Sequence, residues 1–303
     1  MPDRGRGGPA TSSVVMSRRV LLSLGAISLT AGCTHADGIW VAPPPDDGPM
    51  PTNSPMQGDS HPTPGPSAPP PSPRSTPEMP WQPPAMSRPD AGHCPILDGI
   101  TQHPGGPQHY VPCNGTDIGL TIDDGPDPTW TPKVLALLAR YQITATFCMI
   151  GRNANTYTQL VEAISGAGHE IANHTWNHPL PLGALTAAQI RDEVHRTSDA
   201  ILRTTGTAPT LFRAPGGEWS PTILAELKSA GLSPLDWSVD PRDWSRPGVP
   251  HIVDTILHKT RPGAIILEHD GGGNRQQTID ALTIALPRLL DAGYHFVTPN
   301  HSA

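Results

Sequence analysis

The 303-residue sequence has little cysteine, few basic residues and no long apolar run near its N-terminus. Lysine and arginine together number 20 against 27 acidic residues, so the net charge is -7, and no basic cluster is present. This charge argues against nucleic acid as a partner and against attraction to anionic lipid heads. The apolar stretch at residues 20–31 is about half as long as a membrane-spanning helix, which excludes a transmembrane anchor there.

The N-terminus has the pattern of a targeting segment. An arginine pair before the apolar stretch resembles a twin-arginine export signal, and residues 29–33, Leu-Thr-Ala-Gly-Cys, resemble a lipoprotein processing site. We therefore predict that residues 1–33 form a signal peptide and that Cys33 becomes the lipidated first residue. Ordinary cleavage near the Ala31–Gly32 bond, with the Cys33 thiol unmodified, is the alternative.

Residues 34–91 are predicted to be a disordered, proline-rich linker. Nearly half of the 39 prolines lie here, mixed with Ser, Gly, Thr and Asp and with few aliphatic residues. Such a composition cannot bury enough apolar surface to offset the entropy of ordering the chain. Proline-rich chain extends about 3.1 Å per residue, so this stretch could be a spacer from a membrane surface into a cell wall, or a featureless tail.

Residues 92–303 are long enough for one domain with a substantial core. Cys94 and Cys113 flank a loop before the first core strand, and in an exported protein they are expected to form a disulfide. Cys148 lies in an apolar strand and is expected to be a buried thiol. Sequence spacing alone does not prove the pairing.

Short β-type runs alternate with helix-type segments throughout this domain, which predicts an α/β fold with a mainly parallel sheet. Thr186 and Gln189 have the spacing of a capping box at the start of a long helix. The predicted strands are residues 118–122, 144–150, 169–173, 210–213, 235–239, 264–268 and 294–298.

Two architectures fit this alternation, a doubly wound sheet and a closed barrel. The polar residues at or just past the carboxyl ends of the predicted strands favour the barrel, because a barrel gathers these ends into one mouth. These residues are Asp123, Asp124, His174, Arg213, Asp240 and His269. We predict a distorted, incomplete (β/α) barrel of about seven parallel strands.

Asp123 and Asp124 are adjacent carboxylates at the end of the first strand, and they need an opposing charge if both face one cavity. His174 and His178 are four residues apart, and a helical turn after His174 would direct both rings to the same side. Two imidazoles and one carboxylate are a common ligand set for a metal with open positions. We therefore interpret these residues as a metal site.

Five short motifs follow in order between residues 121 and 269: TIDDGP, HTWNH, RAPGG, DPRDW and LEH. With these motifs the domain resembles the polysaccharide deacetylases of carbohydrate esterase family 4. The resemblance covers nearly all of residues 92–303 and implies a distorted (β/α) barrel that removes acetyl groups from sugars with one divalent metal. Zinc is the expected metal, with cobalt or another divalent ion as the alternative.

Carried over motif by motif, the resemblance assigns a role to each polar residue. Asp123 resembles the general base that deprotonates the attacking water. Asp124, His174 and His178 resemble the metal ligands. Arg213 resembles the cation that pairs with the base and keeps it charged.

The remaining motifs supply the general acid and the substrate contacts. His269 resembles the acid that protonates the leaving group, and Asp243 resembles the carboxylate that orients it. Gly216 stands where the family often has an aromatic residue, and its backbone N–H is expected to help hold the oxyanion. Leu267 and Trp244 resemble the apolar pocket for the acetyl methyl group, although each also fits an ordinary core position.

The function predicted from the sequence is a metal-dependent deacetylase of a cell-wall polysaccharide, with the N-acetyl groups of peptidoglycan as the first choice of substrate. Chitin oligosaccharides and O-acetylated xylan are alternatives, as is a catalytically silent glycan-binding protein on the same fold. A two-histidine, one-carboxylate iron oxygenase fits less well, because it does not require a second adjacent Asp. We expect an exported monomer, held to the outer face of the membrane only by a lipid on Cys33.

Overall fold

The computed structural model describes residues 80–89, 105–112 and 115–300. Within these ranges no helix combines the length and the apolar character that crossing a bilayer requires. The predicted signal peptide lies outside them, as does most of the predicted linker.

Every described residue belongs to one compact unit, which lies within Pro73–Ala303. The predictions for Cys33, Cys94 and Cys113 fall outside the described residues. Lipidation and the disulfide therefore stay predictions from the sequence.

The described part of the chain has seven strands and seven helices, which alternate as the sequence predicts except for one additional short helix between the second and third strands. The strands are β1 (Asp117–Asp123), β2 (Thr146–Met149), β3 (Glu170–Asn173), β4 (Leu211–Phe212), β5 (Ser233–Pro234), β6 (Ile265–His269) and β7 (His295–Phe296). The helices are α1 (Thr131–Tyr141), α2 (Gly151–Thr156), α3 (Thr158–Gly166), α4 (Ala187–Thr205), α5 (Pro221–Ser229), α6 (Val249–Lys259) and α7 (Gln276–Ala292).

All named strand pairs are parallel, in the order β5-β4-β3-β2-β1-β6, and β7 pairs with the start of β1. The segment after β5 returns to the other edge: Val239 forms a parallel bridge with Ile266, and Leu267 N–H donates to the Val239 carbonyl at 2.9 Å. Residues 108–110 also link the two edges, because Gln108 bridges Leu235 and Tyr110 bridges Ala264. The prediction of an incomplete parallel barrel is therefore confirmed.

The fifth strand differs from its prediction. Residues 235–239 form no continuous ladder, because their N–H groups donate to three different neighbours in turn: Leu235 to Phe212, Asp236 to Gln108 and Val239 to Ile265. The two-residue β5 at Ser233–Pro234 pairs with β4 instead. The chain crosses from one edge of the barrel to the other at this point, so a regular strand cannot persist.

Local sequence signals explain the helix that lies nearest the predicted metal motif. Thr186 caps α4, accepting from the Gln189 backbone N–H while the Gln189 side chain accepts from the Thr186 N–H, so the predicted capping box is present. Gly206 ends the helix in the left-handed conformation that glycine adopts at low cost. The apolar face of α4 includes the buried residues Ile190 and Val194.

The main hydrophobic core lies between the sheet and helices α1, α3, α6 and α7. Strand β1 is buried over its whole length, as expected for the central strand of a parallel sheet covered by helices. Met86, in the described segment of residues 80–89, is partly buried and packs against this same core. Cys148 is a buried free thiol, as predicted.

Candidate active site

A cavity of about 310 Å³ opens at the carboxyl ends of the strands, where the barrel brings the sequence motifs together. This is the position at which parallel barrels carry their active sites. Its lining residues are Asp123, Asp124, His174, His178, Leu180, Gly216, Trp237, Asp240, Trp244, Leu267 and His269.

Asp123 and Asp124 both line the cavity although they are neighbours in the chain. Successive residues of a strand point to opposite faces, so a continued β1 would turn one of them away. Asp123 is the last residue of β1, and Asp124 adopts a left-handed backbone with φ of 74°. This change of conformation breaks the alternation and lets both carboxylates face the same space.

The segment from His174 to His178 is not the helical turn that would give the expected shared face. Thr175 and His178 have left-handed backbones, with φ of 64° and 58°. The loop nevertheless brings both rings to Asp124: its Oδ1 lies 3.5 Å from His174 Nε2 and 3.3 Å from His178 Nε2.

These three side chains fit a divalent metal. One ligand atom from each of Asp124, His174 and His178 lies within 4.8 Å of the other two. Asp124 Oδ1 is buried and accepts no hydrogen bond from the described residues, as expected of an oxygen reserved for a cation. Two imidazoles and a carboxylate form a three-residue donor set typical of catalytic zinc sites.

Hydrogen bonding and charge both act on His174. Its Nδ1–H donates to the Arg213 carbonyl oxygen at 2.8 Å, which directs Nε2 toward Asp124. Burial would lower the pKa of His174, but the nearby carboxylates of Asp123 and Asp124 raise it. Burial would likewise raise the pKa of Asp124, but the close approach of His174 and the charges of the surrounding histidines hold it well below its usual range.

Arg213 pairs with Asp123 in the interior. The guanidinium is completely buried, and its Nη1 lies 2.7 Å from Asp123 Oδ1 and 2.7 Å from Thr121 Oγ1. Its Nη2 donates to the Asp236 carbonyl oxygen at 2.8 Å. Burial would lower the pKa of Arg213, but the Asp123 carboxylate raises it above its ordinary value, so the arginine remains a cation. The second oxygen of Asp123, Oδ2, lies 3.7 Å from His174 Nε2.

His269 and Asp243 form a second buried pair. His269 Nδ1 lies 2.6 Å from Asp243 Oδ1, and the His269 backbone N–H donates to Oδ2 at 3.0 Å. Thr278 also donates to Oδ2, at 2.7 Å. Burial would lower the pKa of His269, but the charge and hydrogen bond of Asp243 raise it to about 9. Burial would raise the pKa of Asp243, but His269 holds it below its usual value.

The predicted substrate contacts lie around the same opening. Gly216 has a left-handed backbone with φ of 65°, and Leu267 is buried in the wall. Trp244 is 46% exposed and stands at the rim, which distinguishes it from a core residue. The sequence reasoning missed Leu180 and Trp237, which also line the cavity.

Weak signals could have identified both missed residues. Leu180 is an aliphatic residue between two prolines directly after the HTWNH motif, and it is 64% exposed. Trp237 lies three residues before the DPRDW motif and packs under the Arg213 guanidinium, whose central carbon is 5.5 Å from its ring centroid. Neither side chain is polar, so neither belongs to the pattern of ionisable residues that marks the site in the sequence.

The glycines after His269 pack against the metal motif. A Cβ on Gly271 would lie 2.2 Å from the Asp124 carbonyl oxygen, and one on Gly125 would lie 2.1 Å from Asp270 Oδ1. Asp270 is fully buried, and burial raises its pKa to about 7. The glycine-rich segment of residues 270–274 therefore supports the backbone of Asp124.

The fold and the site together are typical of one class of enzyme. A parallel barrel whose mouth holds two histidines and a carboxylate as a ligand set, beside an ion-paired carboxylate and a histidine–aspartate pair, has the architecture of a metal-dependent hydrolase.

Comparison with known proteins gives the family. The polysaccharide deacetylase family matches residues 111–235. The chain is 42% identical to a chitooligosaccharide deacetylase of Sinorhizobium fredii over 198 residues, which are 61% of this chain and 92% of that protein. It is 43% identical to a peptidoglycan-N-acetylglucosamine deacetylase of Bacillus cereus over 196 residues, 62% of this chain and 88% of the relative.

A solved structure gives the same result. The crystal structure of a peptidoglycan N-acetylglucosamine deacetylase in complex with 4-naphthalen-1-yl-N-oxidanyl-benzamide aligns with a TM-score of 0.60 and 34% identity. The alignment covers 63% of this chain and 89% of that one. The chain belongs to the polysaccharide deacetylase family, which is carbohydrate esterase family 4. It is a hydrolase of acetylated polysaccharides, as the sequence motifs predicted.

Proposed function

We propose that the protein removes N-acetyl groups from peptidoglycan outside the cytoplasm. The main support for this proposal is that one cavity is lined by three sets of groups. They are the candidate ligands Asp124, His174 and His178, the carboxylate of the Asp123–Arg213 pair and the imidazole of the His269–Asp243 pair. Relatives that act on peptidoglycan and on chitooligosaccharides support the sugar amide as the substrate group.

We assign Asp124, His174 and His178 as the residues that hold the metal, and zinc as the metal. When bound, a divalent cation supplies Lewis acidity, which makes a water molecule more acidic and polarises the acetyl carbonyl. The orphaned Asp124 Oδ1 and the Nε2 atoms of the two histidines are the donor atoms that support this assignment.

Asp123 is proposed as the general base. Arg213 occupies its Oδ1, so Oδ2 remains to take the proton of the attacking water. Oδ2 lies 3.7 Å from His174 Nε2, which keeps it beside the ligand set. The guanidinium that pairs with Asp123 belongs to the fully buried Arg213, and it fixes the orientation of the carboxylate.

His269 is proposed as the general acid. Water adds to the acetyl carbon, the carbon–nitrogen bond breaks, and the proton held by His269 goes to the departing sugar amine while acetate is released. Asp243 holds His269 in place from its Nδ1 side, leaving Nε2 for the substrate. The Gly216 N–H is proposed to help stabilise the oxyanion, and Leu267 and Trp244 to enclose the methyl group.

Chitooligosaccharide is the second candidate substrate, and one feature at the rim favours peptidoglycan over it. Arg242 is exposed, its guanidinium carbon lies 5.1 Å from the Trp244 ring centroid, and it forms no ion pair with a carboxylate among the described residues. A cation stacked on an aromatic ring at the rim suits a glycan that carries carboxylates. Peptidoglycan has such groups, whereas chitin does not.

The test compares acetate release from peptidoglycan, chitooligosaccharides and acetylated xylan with one zinc-loaded preparation. We expect the highest kcat/KM on peptidoglycan, and an Arg242→Ala variant that loses more of it there than on chitooligosaccharide. Absence of acetate from every substrate would leave a silent glycan-binding protein as the function. A higher kcat/KM on xylan or on chitooligosaccharide than on peptidoglycan would show that peptidoglycan is not the preferred substrate.

We further propose that the protein is an exported monomer held to the membrane by a lipid on Cys33. Support comes from the sequence pattern at residues 29–33 and from relatives that act on cell-wall material. Mass spectrometry of the N-terminal peptide tests this proposal. A lipid-free peptide that begins beyond Cys33 would contradict it.

A further inference from the structure

We propose that Glu193, on α4, is a positioning residue that sets the metal affinity of the site through Asn177 and His178. The proposal rests on the proposed function, because it needs Asp124, His174 and His178 to be the ligands. Glu193 has no part in the acid–base chemistry and does not line the cavity.

Glu193 is bound to the loop between the two histidine ligands. One carboxylate oxygen accepts from the Asn177 backbone N–H at 2.7 Å, and the other accepts from Asn177 Nδ2 at 2.7 Å. The residue is only 8% exposed, and no lysine or arginine of the described chain forms an ion pair with it. A buried carboxylate without a cation costs free energy unless hydrogen bonds compensate it, so this pair of bonds fixes Asn177 firmly.

The two histidines depend on different supports. His174 is held by its own ring, whose Nδ1–H donates to the Arg213 carbonyl oxygen. The His178 ring makes no such bond to a described residue, and its side chain is 22% exposed. The position of His178 Nε2 therefore depends on the backbone of its loop.

That backbone is strained and needs external support. His178 has a left-handed φ of 58°, and its N–H donates to Thr175 Oγ1 at 3.1 Å. A left-handed residue other than glycine persists only where its surroundings hold it. Asn177 directly precedes His178, so the two bonds to Glu193 fix the peptide that leads into this ligand.

Helix α4 forms a rigid base for these bonds. Asn173, just before the loop, donates from Nδ2 to the Val194 carbonyl at 2.7 Å and to Ser198 Oγ at 2.9 Å. The Arg196 guanidinium carbon lies 4.3 Å from the Trp176 ring centroid. The loop is thus attached to successive turns of one long helix, and Glu193 provides the attachment nearest to His178.

The experiment measures the dissociation constant for Zn²⁺ in the full chain, together with the visible absorption of the Co²⁺ form, whose bands report ligand geometry. The variants are Glu193→Gln, Asn177→Ala and their combination. Asp199→Asn is the matched control, because Asp199 is an exposed carboxylate on the same helix. Loss of a partner behind a metal ligand typically weakens affinity about 10- to 100-fold, and we expect this of both single variants.

The outcomes separate this proposal from the proposed function. Wild-type protein that fails to bind one Zn²⁺ at this site contradicts the proposed function itself. Wild-type binding with an unchanged dissociation constant in either single variant overturns the role of Glu193. The proposal is supported if both single variants bind Zn²⁺ more weakly and show altered Co²⁺ absorption bands. The double variant should then lose no further Zn²⁺ affinity, and Asp199→Asn should bind Zn²⁺ as the wild type does. If Glu193→Gln does not fold, Asn177→Ala decides alone, since that side chain is exposed.

Discussion

At the scale of single residues, the two adjacent aspartates occupy different electrostatic surroundings. Asp123 is bonded to the buried Arg213, whereas Asp124 faces two imidazoles and has an oxygen without a hydrogen-bond partner in the described chain. One carboxylate is therefore neutralised by the protein, and the other is left for a bound cation. Their roles differ although their chemistry is the same.

The first prediction separates these roles. Asp123→Asn should lower kcat by about 10²- to 10⁴-fold, the typical contribution of a general base, while the protein retains its zinc. Asp124→Asn should lose zinc as well as activity. The measurements are acetate release and metal content of the purified variants. Zinc lost from Asp123→Asn, or turnover near the wild-type rate, would contradict the assignment.

The second prediction concerns the ion pair in the interior. Arg213→Met should reduce the free energy of unfolding by about 3 to 5 kcal/mol, because it leaves the buried Asp123 carboxylate without its cation. Arg191→Met is the control: Arg191 also forms an arginine–carboxylate pair, with Glu226, but its side chain is 54% exposed, so its loss should reduce stability much less. Urea unfolding of both variants compares the two. Equal losses would show that burial of the Arg213 pair is unimportant.

The third prediction concerns pH. The pKa of His269 is raised from 6.5 to about 9, so the proton is held below about pH 9 and lost as the pH rises through that value. Activity that needs this proton should therefore decrease over the same pH range, which forms the alkaline limb of the pH profile. Asp243→Asn removes the charge that raises the pKa, so the limb should move toward lower pH and kcat should fall.

A matched variant isolates charge from hydrogen bonding at Asp243. Thr278→Val removes the hydroxyl that donates to Asp243 but leaves the carboxylate, so its alkaline limb should stay close to that of the wild type. The measurement is the pH profile of kcat/KM for the three proteins. A limb that is unmoved in Asp243→Asn would exclude His269 as the acid.

At the scale of elements, the segment after β6 supports the end of β1. Gly271→Ala should lower both zinc affinity and activity, because the new Cβ would lie 2.2 Å from the Asp124 carbonyl oxygen, a backbone atom that can move only with the ligand. Gly166→Ala is the control, since a Cβ on Gly166, at the end of α3, meets no atom within 4 Å. Zinc titration and acetate release are the measurements. Normal zinc affinity in Gly271→Ala would contradict this role.

The sequence predicted most elements because each carries its own signals. The capping box at Thr186 and the glycine at Gly206 bracket α4, and the apolar runs ending in polar residues mark the strands. The crossing at residues 235–239 was mispredicted, because its bonds go to distant segments. The short helix α2, Gly151–Thr156, was not predicted: six residues carry no apolar periodicity.

The site residues that lie in sequence motifs could be predicted. The residues that contribute only through contacts in the folded structure could not. Adjacent carboxylates and two histidines four residues apart indicate a metal site in the sequence alone. Glu193 and Thr278 act through hydrogen bonds across 16 and 35 residues, and no local pattern marks them. The left-handed backbone of His178 was equally hidden, since neither propensity nor periodicity favours it.

At the scale of the whole molecule, the segment of residues 80–89 belongs physically to the folded unit, because Met86 packs against the main core. A chain that begins at residue 92 should therefore have a free energy of unfolding about 1 kcal/mol lower than one that begins at residue 80. Met86→Ala in the longer chain should reproduce most of this loss. Urea unfolding tests both, and equal stability of the two truncations would contradict it.

The barrel brings the catalytic groups together from different strands, with one exception. Asp123 and Asp124 are joined by a single peptide bond, so covalent geometry limits their spacing, whereas His269 reaches them only through the pairing of β1 with β6. Homologues with a repacked barrel should therefore conserve the distance between Asp123 and Asp124 more closely than the distance from Asp123 to His269. Changes in β6 should therefore move His269 relative to Asp123 more easily than any change could move Asp124 relative to Asp123.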